Sequence, residues 1–157
     1  MSHRVAALLV ILGGAAALAM AYWAQYVEGL VPCPLCLLER WPYRIIIALG
    51  LIALLCRPPT GRFVLGLAVL TMLGGAAIAS VHVGVELHLW LSPLPECNGN
   101  FSPGMALPMT PAIPCDKPVY FIPGLPVSMA VMDLFYELLL ALLTVSYISR
   151  KPRRFIR

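Results

Sequence analysis

The chain has 157 residues, of which 61% are apolar and only 11% are charged, and its formal net charge is +4 at pH 7. This length suffices for one domain, but a soluble domain of this size does not need so large an apolar fraction. The basic residues lie between and after apolar segments, which argues against a nucleic-acid-binding patch. The composition therefore favours a membrane protein.

Four apolar segments predict an all-α membrane protein, a bundle of four transmembrane helices in one domain that covers residues 1–157. We place the helices at about residues 5–26, 33–56, 63–86 and 127–149. The first segment has an alternative interpretation as a signal peptide, although its uncharged run exceeds the usual h-region of roughly 7–15 residues. Residues 87–126 form a long Pro-rich loop between the third and fourth helices.

The distribution of charge predicts the orientation of this bundle. Arg4, Arg57, Arg62 and the basic residues 150–157 all fall on one side of a four-span arrangement. The positive-inside rule makes that side cytoplasmic, so both termini are expected in the cytoplasm. Six aromatic residues cluster at the opposite boundary and indicate an aromatic belt: Tyr22, Trp23, Tyr26, Trp41, Tyr43 and Trp90.

Two cysteines with a nearby cation form the most informative motif of the chain. Cys33 and Cys36 are separated by two residues, and Arg40 follows Cys36 by one helical turn. This spacing allows a small disulfide or an activated thiolate. Because the motif begins the second helix, we expect the helix N-terminus and Arg40 to stabilise a thiolate on Cys36.

Arg40 and Arg44 continue the helix face of Cys36 into the membrane. An arginine at this depth is a functional-site hypothesis, and the alternative is that both side chains extend to the interface as anchors. Asp133 and Glu137 lie one turn apart in the fourth segment, at about the depth of Arg44. We therefore predict that Arg44 pairs with one of these carboxylates.

His82 and Glu86 lie one turn apart near the end of the third helix. Arg40 and His82 could together favour negative charge on the oxygens of a carbonyl-bearing ring. A histidine packed between helices is one alternative, and a metal site that includes His88 is another. Because His88 lies off the shared face and no further ligand is evident, we expect no metal.

Cys97 and Cys115 enclose a loop rich in proline and glycine, which a disulfide would restrain. The disulfide has an alternative, purely structural role. We expect it to be exposed and open to attack, and its position on the same side as Cys33 and Cys36 suggests a relay by thiol–disulfide exchange. The fifth cysteine, Cys56, stands apart and is interpreted as an apolar filler.

Nearly the whole chain resembles the bacterial disulfide bond formation protein B family. The pair Cys33 and Cys36 followed by Glu39 and Arg40 is similar to the first redox pair of that family and its quinone-contacting arginine. The motif at residues 82–86 resembles the third-helix motif, whose histidine lies near the quinone ring. Cys97, residues 114–116 and residues 128–130 are similar to the two loop cysteines and the start of the fourth helix.

The resemblance implies a dithiol:quinone oxidoreductase of the bacterial inner membrane with its active cysteines on the periplasmic side. The expected catalytic residues are Cys33, Cys36, Cys97 and Cys115. The expected quinone-binding residues are Glu39, Arg40, His82 and Glu86, and ubiquinone or menaquinone is the expected cofactor. A periplasmic thiol oxidase similar to DsbA is the expected partner, which would attack Cys97.

Two features depart from the family pattern, and two other functions stay open. Asp133 and Glu137 replace uncharged residues, and residues 119–123 differ from the usual run after the second loop cysteine. A relay like that of vitamin K epoxide reductase is one alternative, although its membrane-proximal cysteine pair is expected on the fourth helix. The other is a non-catalytic membrane subunit whose disulfides only hold the loop.

Overall fold

Four long helices account for most of the described chain. The computed structural model describes residues 2–98, 114–120 and 126–149. The helices are α1 (Ser2–Tyr26), α2 (Pro34–Leu55), α3 (Pro58–Glu86) and α4 (Met129–Ser149). A short 3₁₀ helix at Pro95–Asn98 precedes α4. The predicted all-α class is confirmed.

Three of these helices are long and apolar enough to cross a membrane: His3–Tyr26, Pro58–Glu86 and Met129–Ser149. α2 is long enough at 22 residues, but it carries the three charged residues Glu39, Arg40 and Arg44. Among the described residues, composition therefore supports three spans, and the fourth stays a prediction. The basic residues 150–157, on which the predicted orientation partly rests, lie outside the described residues.

α3 begins at Pro58, five residues before the predicted start near residue 63. Proline is compatible with the first turn of a helix, because the N–H group that it lacks has no intrahelical acceptor there. Arg57 forms the N-cap with an extended backbone, and the N–H of Gly61 donates to its carbonyl oxygen at 2.8 Å. The two prolines therefore start the helix and do not delay it.

Small residues let α1 approach α2 closely. A Cβ atom added to Gly14 of α1 would lie 3.2 Å from the carbonyl oxygen of Tyr43, and one added to Gly50 of α2 would lie 3.3 Å from that of Ala7. Such contacts are typical of helices that pack in lipid. Large apolar side chains cover the outside of the bundle and are 64–69% exposed at Leu12, Phe63, Phe135 and Leu142, which suits a surface that faces lipid.

A glycine also determines the contact between α3 and α4. The carboxyl group of Glu137, whose residue is only 1% exposed, occupies the space beside Gly75. A Cβ atom at Gly75 would overlap that carboxyl group, whereas one at Gly74 would meet no atom within 4 Å. Gly75 therefore makes room for a buried polar side chain.

We expect Gly75→Ala to lower the free energy of unfolding by about 1–3 kcal/mol, because the new methyl group must displace a buried side chain. Gly74→Ala is the matched control and should be neutral or stabilise the helix by up to about 1 kcal/mol. Unfolding titrations with SDS in mixed micelles measure both values. Equal stability of the two variants would contradict the proposed role of Gly75.

Candidate active site

The first turn of α2 is capped by a cysteine. Cys33 is the N-cap, Pro34 occupies the first helical position, and the backbone N–H of Cys36 donates to Sγ of Cys33 at 3.2 Å. The first turn of α2 therefore directs a backbone N–H group at the sulfur of Cys33, whereas we had expected the helix N-terminus to act on Cys36.

Glu39, His82 and Cys33 form a buried hydrogen-bonded chain that joins α2 to α3. Nδ1 of His82 lies 2.8 Å from Oε1 of Glu39, and Nε2 lies 3.6 Å from Sγ of Cys33. Because a carboxylate oxygen can only accept a hydrogen bond, Nδ1 carries the proton toward Glu39. In the neutral ring, Nε2 then presents its lone pair to the sulfur. The geometry suits transfer of the thiol proton to the imidazole.

Glu86 connects this site to the start of α4. Its Oε2 atom accepts a hydrogen bond from the hydroxyl group of Ser128, and its Oε1 atom lies 4.0 Å from Nε2 of His82. Ser128 Oγ also accepts from the N–H of Val131 at 3.3 Å, which caps the first turn of α4. His88, which we considered as a metal ligand, is exposed and follows the end of α3.

Cys97 and Cys115 form a disulfide with Cα atoms 5.1 Å apart. Both residues are buried, at 4% and 1% exposure, so the expectation of an exposed disulfide is wrong. They pack in one apolar cluster whose other buried members are Cys33, Leu35 and Val85. Most of the loop that the disulfide closes lies outside the described residues. The packing brings the two cysteine pairs together.

Arg40 is buried and held from α1. Its Nη1 donates to Oε1 of Gln25 at 2.7 Å, and its guanidinium carbon lies 5.1 Å from the centroid of the Tyr22 ring. A charge in a membrane domain requires such polar or aromatic partners, because its desolvation is unfavourable. Gln25 and Tyr22 therefore fix the position of the cation near the redox pair.

The predicted ion pair between Arg44 and Asp133 or Glu137 is wrong. Arg44 donates to the hydroxyl of Tyr22 at 2.9 Å on the exposed face of α2, beside the ring of Trp41. Its depth had been estimated from the helical rise, which carries no information on the direction in which the side chain points. Asp133 and Glu137 point elsewhere.

The neighbouring residue Tyr43 is the partner of Asp133. Its hydroxyl donates to Oδ1 of Asp133 at 2.6 Å, and Tyr43 is only 3% exposed. Because consecutive helix residues are rotated by about 100°, Tyr43 faces α4 while Arg44 faces outward. Tyr43 therefore does not belong to the predicted aromatic belt, whereas Trp23, Trp41 and Trp90 are about half exposed.

A cavity of about 440 Å³ lies next to these residues. Its walls are mostly apolar side chains, including Ala17, Met20 and Ala21 of α1. The polar groups that line it include Cys36, Arg40, His82, Glu86 and Asp133. A mostly apolar cavity with a few converging polar groups is typical of a small-molecule site.

The structure brings the eight predicted site residues to one end of the bundle, where they form two groups. Cys33, Cys36 and the residues Glu39, Arg40, His82 and Glu86 line the cavity, whereas Cys97 and Cys115 pack behind Cys33. Sequence reasoning missed Gln25, Ser128 and the partnership of Cys33 with His82. Gln25 carried one signal: it is an amide residue that directly follows the uncharged run at residues 5–24 of α1.

Comparison with known proteins identifies the family. The family model "Disulfide bond formation protein DsbB" matches residues 3–147. Disulfide bond formation protein B of Ralstonia nicotianae is 33% identical over 146 residues, which cover 85% of this chain and 86% of the relative. No solved structure matches the chain.

Two further relatives align over shorter stretches. Disulfide bond formation protein B of Herminiimonas arsenicoxydans is 35% identical over 71 residues, 45% of each chain. The uncharacterized protein RP370 of Rickettsia prowazekii is 36% identical over 84 residues, 54% of this chain and 48% of the relative. The chain thus spans about half the length of these two relatives and most of the Ralstonia protein. The family match over residues 3–147 agrees with the motifs, and the chain belongs to the disulfide bond formation protein DsbB family.

Proposed function

We propose that this protein oxidises a thioredoxin-like protein dithiol outside the cytoplasm and transfers the electrons to a membrane quinone. The observation that carries the proposal is the packing of the Cys97–Cys115 disulfide against Cys33, beside a cavity that Cys36 lines. The loop pair packs behind Cys33, and the pair Cys33 and Cys36 lines the cavity. This arrangement suits a relay between a protein thiol and a membrane-soluble acceptor.

The relay consists of thiol–disulfide exchanges at the buried cluster. A partner thiolate attacks Cys97 and releases Cys115, and the second partner thiol then forms the partner's disulfide and releases Cys97. The Cys115 thiolate attacks Cys33 of an oxidised Cys33–Cys36 pair and releases Cys36. Finally, Cys97 attacks Cys115, which restores the loop disulfide and releases Cys33. Each exchange breaks one S–S bond and forms another.

The loop disulfide together with free thiols at Cys33 and Cys36 corresponds to the state that follows these exchanges. Because the disulfide is buried, partner docking must first move the segments that cover it. Cys33 and His82 are already in contact, so the imidazole can accept the thiol proton as the Cys33–Cys36 disulfide forms again.

The residues around the cavity fit a quinone head group, because apolar walls surround a cation and an imidazole. When bound, a quinone would accept the two electrons and two protons that the dithiol releases. Arg40, held by Gln25, presents a positive charge that favours negative charge on a ring oxygen. Glu39 orients His82 toward the sulfur, and Glu86 lies beside the imidazole and is hydrogen-bonded to Ser128.

We expect Cys36→Ser to abolish quinone reduction, because Cys33 then has no partner with which to form a disulfide. The Cys97–Cys115 disulfide should persist, as thiol labelling before and after reduction would report. Absorbance of a short-chain quinone, with a reduced thioredoxin-like oxidase as donor, measures turnover. Cys56→Ser is the matched control and should retain activity. Turnover by Cys36→Ser would refute the relay.

We expect Arg40→Ala to raise the KM for quinone about 10- to 100-fold, which corresponds to about 1.4–2.8 kcal/mol of lost binding. Arg44→Ala is the matched control, since it removes the same charge from the exposed face of α2. Steady-state kinetics with varied quinone and saturating dithiol donor would separate KM from kcat. If Arg40→Ala changes neither, or if Arg44→Ala has the same effect, Arg40 does not contact the quinone.

A further inference from the structure

We propose that the reduced Cys33–Cys36 pair and His82 form a binding site for Zn²⁺. One donor atom from each of the three residues lies within 4.8 Å of the other two. Two thiolates and an imidazole are a ligand set that favours zinc among the common divalent metals. These residues differ from the set that the sequence suggested, in which His88 took part.

The separation of the donor atoms suits tetrahedral coordination. Zinc lies about 2.3 Å from thiolate sulfur and about 2.0–2.1 Å from imidazole nitrogen, so a tetrahedral centre separates these donors by about 3.6 Å. Sγ of Cys33 and Nε2 of His82 are 3.6 Å apart. The N-cap position holds this sulfur in place, and Cys36 lies in the first turn of the helix that follows. Only small side-chain movements are needed to enclose an ion.

The ring nitrogen of His82 that would not bind the ion also supports a metal site. Nδ1 of His82 donates to Glu39, which leaves Nε2 to face the sulfur atoms. Histidines that bind metals typically donate their other ring N–H to a carboxylate or a carbonyl oxygen, which fixes the tautomer and the ring orientation. Glu39 is therefore a positioning residue for the imidazole ligand.

The fourth coordination position is available from the cavity. Cys33, Cys36, His82 and Glu86 all line that cavity, and Oε1 of Glu86 lies 4.0 Å from Nε2 of His82. Either this carboxylate or a water molecule can complete the tetrahedron.

The site exists only in the reduced protein. Zn²⁺ replaces the two thiol protons to form two S–Zn bonds, with no change in oxidation state, whereas a Cys33–Cys36 disulfide has no thiolate to offer. An occupied site withholds both sulfurs from Cys115 and from any electron acceptor. Zinc is thus expected to inhibit the protein, and this consequence alone rests on the proposed function.

Metal titration tests the site without quinone or partner protein. The Cys97 and Cys115 thiols of the reduced loop could also bind metal, so both are replaced by serine in the full-length protein, together with Cys56. The reduced protein is titrated with Co²⁺, whose thiolate charge-transfer and tetrahedral d–d bands report the ligands, and Zn²⁺ is then used to displace it. We expect one equivalent to bind, with both bands present.

Variants of this serine-substituted protein test whether Cys33, Cys36 and His82 are the metal ligands. Cys36→Ser and the oxidised protein should lose the tetrahedral spectrum, and Glu39→Gln should weaken binding about 10- to 100-fold while the spectrum persists. Arg44→Ala should bind as the parent does. Far-UV circular dichroism checks that each variant is folded. Absence of a tetrahedral cobalt spectrum in the reduced parent, or equal binding by Cys36→Ser or by the oxidised protein, would overturn the proposal.

Failure of the site and failure of the proposed function give different results. If no metal binds while the protein with all cysteines intact reduces quinone in the presence of a chelator, the metal site is refuted and the relay stands. If cobalt binds as expected but no quinone is reduced, the relay is refuted and the metal site stands.

Discussion

The hydrogen bond between Glu39 and His82 is the contact on which the redox end of the bundle depends. A carboxylate and an imidazole buried in a membrane domain are unfavourable unless they satisfy each other. Their pairing fixes the start of α2 against the end of α3. Cys33 lies on the other side of the imidazole, and the loop disulfide packs against Cys33. Both cysteine pairs therefore lie close to this one buried contact.

Polar contacts from different helices then enclose the cavity. Arg40 of α2 reaches Gln25 of α1, Tyr43 of α2 reaches Asp133 of α4, and Glu86 of α3 reaches Ser128 before α4. Within lipid, apolar burial contributes little to the association of helices, so packing of small residues and such hydrogen bonds must specify the arrangement. The same polar residues that suit the cavity for a ligand thus also hold the bundle together.

Features that depend on local sequence were predictable. Apolar segments predicted the helical class, and the length of the second segment placed Cys33 and Cys36 at the start of its helix, as α2 confirms. Features that depend on the direction of a side chain around its helix were not predictable. The helical rise placed Arg44 at the depth of Asp133, but Tyr43 is the residue that faces it. The burial of Cys97 and Cys115 was also missed, because proline-rich composition suggested exposure and tertiary packing determined the outcome.

The fit of Glu137 beside Gly75 also constrains how this sequence can change. A larger residue at Gly75 must displace the carboxyl group of Glu137 unless that side chain has already become shorter. This order is open, since shortening Glu137 leaves a void that a methyl group at Gly75 can later fill. Substitutions at these two positions are therefore expected to be less destabilising when α4 changes before α3.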